Sequence, residues 1–431
     1  MRIAGAEPRS WSGVATVAAA VTLTVSAVLG AMPVRLRDGV SLQLLLLAAA
    51  VVSVRGRVRV PRLLGLLVLV NVVLFGVAHA RASDVTLGEQ PILAIALAGL
   101  ACVVVALWTD TGATAADVLN RFLIALPWVT IPVAVLVGTR VITGHDPLGI
   151  LETMTERAGI VESASSVSPV RNYNQFSNSM LIGAIGGWYC AQITANMVLG
   201  MLLRVSSLAM VVLASISLSV KGAVIGVVLA SVWSVGSCID WARGRHRAAI
   251  TLMFVVVAGV ASAAALSSAV GEIGEVQRLV KRTVRMSADP AEDPGSAWYE
   301  RSRRFDAFVE LTSSMTPTEV VFGMGADYHR RFAVATGGSE YSRDIDFPHS
   351  APLSAFLYGG VVAAIASLAY LCAIPIQVRK LPTPLRGPLL AILAVLLTHA
   401  LLGADSVLTE RTLLLIAAVL AALPALPTSP R

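Results

Sequence analysis

Phe347-Pro348-His349-Ser350-Ala351-Pro352-Leu353 marks the sharpest change of character in this chain. Ahead of it lies a long polar segment, residues 268–349. That segment carries Lys281, Arg282 and Arg285, then Arg301, Arg303 and Arg304, then Arg330, Arg331 and Arg343, with acidic residues interleaved. Behind it an apolar run continues to about residue 374. A chain that passes from charge to unbroken hydrocarbon within a few residues is crossing from water into a bilayer. His349 sits at that crossing.

The rest of the sequence has the same two-phase character. Of 431 residues, 56% are hydrophobic and only 14% charged, against about 25% charged in a soluble domain, and the mean hydropathy is +0.77. A spanning helix needs roughly 20 mostly apolar residues. Such runs recur at 12–32, 40–54, 63–80, 91–108, 121–142, 176–195, 203–220, 222–239, 248–267, 350–374, 387–403 and 411–426. The expectation is an all-α polytopic membrane protein of about twelve transmembrane helices forming one integral membrane domain over 1–431. Pro127 and Pro132 should bend or break the fifth span.

Charge gives the expected orientation. With the N-terminus inside, the even-numbered connections carry Arg55, Arg57, Arg59 and Arg62, then Arg121, Arg204, Arg243, Arg245 and Arg247, then Arg379, Lys380 and Arg386. Positive residues collect on the cytoplasmic side. Both termini are then cytoplasmic, in the cytoplasmic (inner) membrane. The loop 143–175 and the large, partly helical loop 268–349, between helices 9 and 10, face outward. The helical part of the large loop is clearest around Ser302–Leu311, where Phe305, Phe308 and Val309 share one face.

Several classes are excluded or disfavoured. The formal net charge of +7 is spread through short connections. No basic face is both soluble and continuous, so nucleic acid is not a partner. Cys102, Cys190, Cys238 and Cys372 lie in apolar runs without ligand spacing and read as small core hydrophobes. The N-terminus has the outline of a signal peptide, but with so many helices behind it an uncleaved first span is expected. The six histidines form no HExxH or paired pattern, so no metal site is expected. His145 and His329 lie in less constrained settings, and His79 and His399, at or within spans, receive no role.

Three features could carry chemistry. Lys221 interrupts an apolar run in a connection too short to need a charge for solubility; its plain alternative is snorkelling to headgroups. Arg301, Arg303 and Arg304 form a dense cluster suited to a diphosphate or an anionic headgroup, which arginine binds bidentately. The alternative for any one of them is a solvated charge. His349 stands where an imidazole can be neutral and water-accessible at pH 7. The alternative there is a helix-start histidine bonded to backbone.

Taken together, these pieces resemble the bacterial O-antigen ligase and O-antigen polymerase superfamily, over about residues 165–375. Asn172-Tyr173-Asn174-Gln175-Phe176 resembles the family's Asn-containing start of a span, and Ser219-Val220-Lys221-Gly222-Ala223 its Ser-Arg-Gly turn. Arg304 with Phe308 and Leu311 resembles its Arg-x3-Trp helix, followed by Phe322-Gly323-Met324-Gly325 for a Gly-x-Gly turn. Pro348-His349-Ser350 and then Tyr358-Gly359-Gly360-Val361 resemble its His-Asn segment and the Gly-containing span behind it. The chain departs from the pattern in having Lys221 for Arg, Phe308 for Trp and Ser350 for Asn.

The resemblance implies a GT-C-like membrane glycosyltransferase. Its donor would be a saccharide on a polyprenyl diphosphate, and its acceptor another saccharide, glycan or lipid. It implies that His349 positions or deprotonates the acceptor hydroxyl, and that Lys221 and Arg304, with Arg303 and Arg301 nearby, hold the diphosphate. No cofactor and no metal are implied, and inversion at the anomeric carbon is. Other readings are a transporter or flippase for the same lipids, or a scaffold of an envelope complex. Transporters usually show internal repeats and midplane charges, and neither is evident here.

Overall fold

The computed structural model describes residues 9–28, 63–80, 115–143, 173–216, 297–337, 347–403, 406–408 and 410–423. These residues are all helical or connecting, without a strand. In chain order the helices are α1 (Arg9–Val28), α2 (Leu63–Ala80), α3 (Ala115–Thr143), α4 (Tyr173–Ile193), α5 (Met197–Ile216), α6 (Ala297–Ser313), α7 (Pro317–Phe322), α8 (Tyr328–Ala335), α9 (Ala351–Val378), α10 (Thr383–Leu402) and α11 (Arg411–Ala421). Eight of the spans expected from the sequence fall on α1 to α5 and α9 to α11. The remaining four, at 40–54, 91–108, 222–239 and 248–267, lie outside the described residues, as does the 143–175 loop beyond Thr143 and before Tyr173.

Three stretches, Ala115–Leu136, Ala351–Val378 and Thr383–Leu401, are long and apolar enough to cross a bilayer. They mark a membrane protein. Shorter apolar stretches occur in α1, α2, α5 and α11. Large apolar side chains also face outward, notably Met197, Val198, Met201, Leu202 and Val205 on α5 and Val361, Val362, Ile365 and Leu368 on α9. Water would penalise such faces, whereas lipid tails do not.

The packing follows two groups. In one, α4 lies against α3 and α5, and α1 against α3; in the other, α2 lies against α9 and α11. Contacts of α10 with α4 and of α1 with α11 join the groups. Small residues on α4 set the closeness of the first group. A Cβ on Gly183 would fall 2.3 Å from Thr130 Oγ1, and one on Gly187 2.4 Å from Ser207 Oγ.

Pro127 and Pro132 lie inside α3, which nevertheless runs as one helix. Proline at 127 removes the N–H that would bond to the Leu123 carbonyl. Cys190 of α4 supplies its thiol to that carbonyl at 3.8 Å and to Ile124 at 3.7 Å, so a neighbouring helix meets the freed acceptor. Cys190 is buried as expected, but Cys372 is exposed on α9 and is not a core residue. It lies on the outward face of that helix, one turn beyond the exposed Leu368.

Interhelical contacts gather several helix ends at one end of the bundle. Ser179 near the start of α4 donates to Ala27 near the end of α1. Thr412 at the start of α11 meets Ser26, and Ala326 donates its backbone N–H to Ala78 near the end of α2. The polar segment α6 to α8 is laid over this end, where α9 begins.

Candidate functional site at the start of α9

The site is organised by a break in α9. Gly360 has φ 69° and ψ −163°, a conformation that interrupts the helix between two helical halves. In an unbroken helix the carbonyls of Leu357 and Tyr358 would accept from residues 361 and 362. Here they accept instead from Met324 N–H at 2.7 Å and Gly325 N–H at 3.1 Å. The loop from Gly323 to Ala326 thus stitches the polar segment to the broken helix through main-chain bonds. Satisfying those carbonyls matters because an orphaned buried carbonyl costs about 1–3 kcal/mol.

Two glycines make this contact possible. A Cβ on Gly360 would lie 2.2 Å from the Val321 carbonyl oxygen, and one on Gly323 would lie 2.3 Å from the Gly359 amide nitrogen. Gly323 and Gly325 also have φ of 73° and 75°. The two Gly-containing pieces singled out in the sequence, 322–325 and 358–361, are therefore halves of one backbone-to-backbone joint.

Aromatic rings fill in around the joint. Tyr358 stands edge-on to Phe75 of α2 at 5.5 Å between ring centroids and lies 6.4 Å from Tyr328 of α8. Helix α7 is set by local chemistry. Thr316 caps it in a reciprocal box with Glu319, and Pro317 occupies its first turn. Arg331 of α8 then donates to Glu319 at 2.9 Å, tying α8 back to α7. The Thr316 backbone N–H, its hydroxyl and Arg331 hold the Glu319 carboxyl below the usual range.

His349 is held just ahead of this structure. It is the one non-glycine residue with positive φ among the described residues, at 55°. Such a backbone costs an L-residue roughly 1–2 kcal/mol, and strain of this kind collects at functional sites. Its ring, half-buried, lies 4.3 Å from the Phe347 ring. Its Nδ1 faces the Gly403 carbonyl, beyond the end of α10, at 3.4 Å. A carbonyl can only accept, so in this contact Nδ1 is the protonated nitrogen.

Arg304 lies on α6. The packed stripe of that helix is Ala307, Phe308 and Leu311, with half-buried Arg304 one turn ahead of Phe308. The face expected from the sequence was different. Phe305 and Val309 are 58% and 48% exposed, because α6 turns Ala307 and Leu311 inward instead. Phe308 meets Phe356 of α9 edge-on at 6.1 Å, two turns into the helix that His349 precedes. Arg303 is exposed, and Arg301 belongs to α6 with its side chain outside the described ones. Lys221 lies outside the described residues, and the contact that relates the helix of Arg304 to the one His349 precedes is that of Phe308 with Phe356.

One pair at this end had no reading from sequence. His399, in the last turn of α10, donates from Nδ1 to the carboxylate of Glu410, which precedes α11. Both side chains are largely buried. The signal available was an ionisable residue inside an apolar run, but its partner lies eleven residues away across a turn. His329, by contrast, is buried and bonded to the Ala326 carbonyl at 3.0 Å, a structural role.

Compared with known proteins, the chain matches no family model, no curated protein and no solved structure.

Proposed function

We propose that the protein is a membrane glycosyltransferase that polymerises or ligates polyprenyl-diphosphate-linked saccharides on the outer face of the cytoplasmic membrane, within a bundle of about twelve spans. The observation that carries this reading is the setting of His349 at the start of α9: a strained backbone, a half-buried ring, and Nδ1 turned to the Gly403 carbonyl. The resemblance of the surrounding segments to the O-antigen ligase and polymerase superfamily supplies the substrate class.

In this reading His349 Nε2 takes the proton of the acceptor hydroxyl as its oxygen attacks the anomeric carbon. The bond from that carbon to the diphosphate oxygen breaks, and its electron pair leaves with the diphosphate. Attack opposite the leaving group inverts the centre. Arg304, with Arg303 and Arg301 on the same helix, and Lys221 from another connection, hold the diphosphate and stabilise the charge that develops on it.

A second reading has one observation in its favour. Broken membrane helices are typical of transporters, and α9 is broken at Gly360. Yet the Leu357 and Tyr358 carbonyls on its first half each already accept an N–H from Met324 or Gly325, which weakens them as ligands for a transported ion. The transferase reading uses the break as an attachment point instead.

The test is transfer from a radiolabelled polyprenyl-diphosphate oligosaccharide by purified protein in liposomes. His349→Ala should lower the rate by on the order of 10²–10⁴-fold, and Arg304→Ala and Lys221→Ala by about 10²-fold each. Wild-type rates in all three variants would remove the site assignment. Movement of donor between leaflets without any transfer would assign the protein to transport.

A further inference from the structure

We propose that His399 and Glu410 form a positioning pair for His349, acting through the backbone of Gly403. This rests on the reading of His349 as the acceptor-activating base. Buried ionisable residues in a membrane bundle are costly to keep and point to function. This pair lies within one residue of the candidate base.

The connection is physical at each step. Glu410 accepts from His399 Nδ1 and so fixes the orientation of that ring. The ring lies against Gly403: a Cβ on Gly403 would sit 3.0 Å from His399 Cδ2 and 3.1 Å from Nε2. The Gly403 N–H donates to the His399 carbonyl. The Gly403 carbonyl in turn meets His349 Nδ1 at 3.4 Å. A carboxylate therefore orients one imidazole, that imidazole packs the turn, and the turn's carbonyl selects the tautomer of the second imidazole. A side chain at 403 would press on the His399 ring and shift it by a few tenths of an ångström.

The described titratable groups bearing on the pair are His349, across Gly403, and Tyr370 of α9. The buried Tyr370 hydroxyl has no hydrogen-bond partner and lies within electrostatic reach of Glu410. Loss of the Glu410 charge removes the bond that orients the His399 ring. It then loosens the Gly403 carbonyl from His349 Nδ1 and lets the tautomer bearing the proton on Nε2, in which that nitrogen cannot accept a proton, become populated.

The experiment is nitrogen NMR of substrate-free, full-length protein labelled at histidine in lipid nanodiscs, titrated with pH, with His349 signals identified by their loss in His349→Gln. In wild type, His349 should be protonated at Nδ1 when neutral, and its shifts should show a second inflection at the midpoint of His399. In Glu410→Gln the inflection should vanish and the tautomers should mix, with Glu410→Asp restoring part of both. The acidic limb of the transfer-rate profile should move in Glu410→Gln. A wild-type His349 that titrates in a single step, blind to His399, overturns the proposal without needing any variant to fold. Failure of the base reading looks different: His349→Ala then transfers glycan at the wild-type rate whatever the NMR coupling.

Discussion

Where α3 meets α4, Gly183 receives the side chain of Thr130; where the polar segment meets α9, Gly323 and Gly360 receive backbone. Both contacts are too close for a Cβ, and both rely on glycine, yet they differ in what would have to give way. Thr130 is a side chain that a smaller residue can replace, although it is fully buried, is bonded to the Leu126 carbonyl at 2.9 Å, and has its Cβ, which no rotamer change moves, 2.5 Å from the added atom. The Val321 carbonyl and the Gly359 amide belong to main chain that is itself pinned by the bonds from Met324 and Gly325. The first contact sets how tightly two membrane helices pack. The second fixes where the polar segment, and so Arg304, sits relative to His349.

The largest effect should come from the backbone joint. Gly360→Val combines a collision with the Val321 carbonyl and an unfavourable φ, and Gly323→Ala does the same at the facing position. Each should cost more than about 3 kcal/mol, seen as lost monodisperse protein and a lower melting temperature in detergent. If either variant melts with wild type, the joint is not a fixed element. Gly183→Ala should cost less, about 1–3 kcal/mol of overpacking. The double variant with Thr130→Gly, which also removes the Thr130 Cβ lying 2.5 Å from the new atom, should recover part of it, a coupling the backbone joint cannot show. An unrecovered double variant would mean that helix backbones, not Thr130, set that spacing.

The smallest effect belongs to the cap of α7. Thr316→Ala should destabilise the α7–α8 segment by about 1 kcal/mol, read as faster hydrogen exchange over residues 317–322. Glu319 adds a pH dependence. Its carboxyl is held below its ordinary range by Thr316 first and Arg331 after it. Its contribution is therefore complete above the unfolded carboxyl value of about 4.3 and is lost as pH falls through the lower folded value. Protection of the segment should decline with acid in wild type and decline less in Thr316→Ala. Equal acid sensitivity in both would dissociate the cap from the titration.

Much of the architecture was legible because hydrocarbon imposes its pattern locally. Residues 63–80 were read as a span and form α2 with the same limits, and the spans at 350–374 and 387–403 fall within a few residues of α9 and α10. The boundary at Pro348-His349 was visible because polarity changes there abruptly. What periodicity could not supply was the inward face of α6, since Phe305 is as apolar as Phe308 and only the neighbouring helix decides which is covered. The joining of Cys190 to the carbonyl freed by Pro127 was hidden for the same reason.

The sequence by itself determined that this chain has the apolar helices of a membrane protein, roughly where eight of them lie, and that a charged segment closes on a histidine where an apolar run begins. Those properties depend on the composition of contiguous residues. The tertiary structure alone decided that α9 is broken, that Met324 and Gly325 bind its freed carbonyls, and that His349 rests on Gly403 with His399 and Glu410 behind it. Each of these joins residues distant along the chain through a hydrogen bond whose partner is a backbone group or a buried charge. Every residue carries the same backbone groups, so the letters of a sequence do not say which of them will meet.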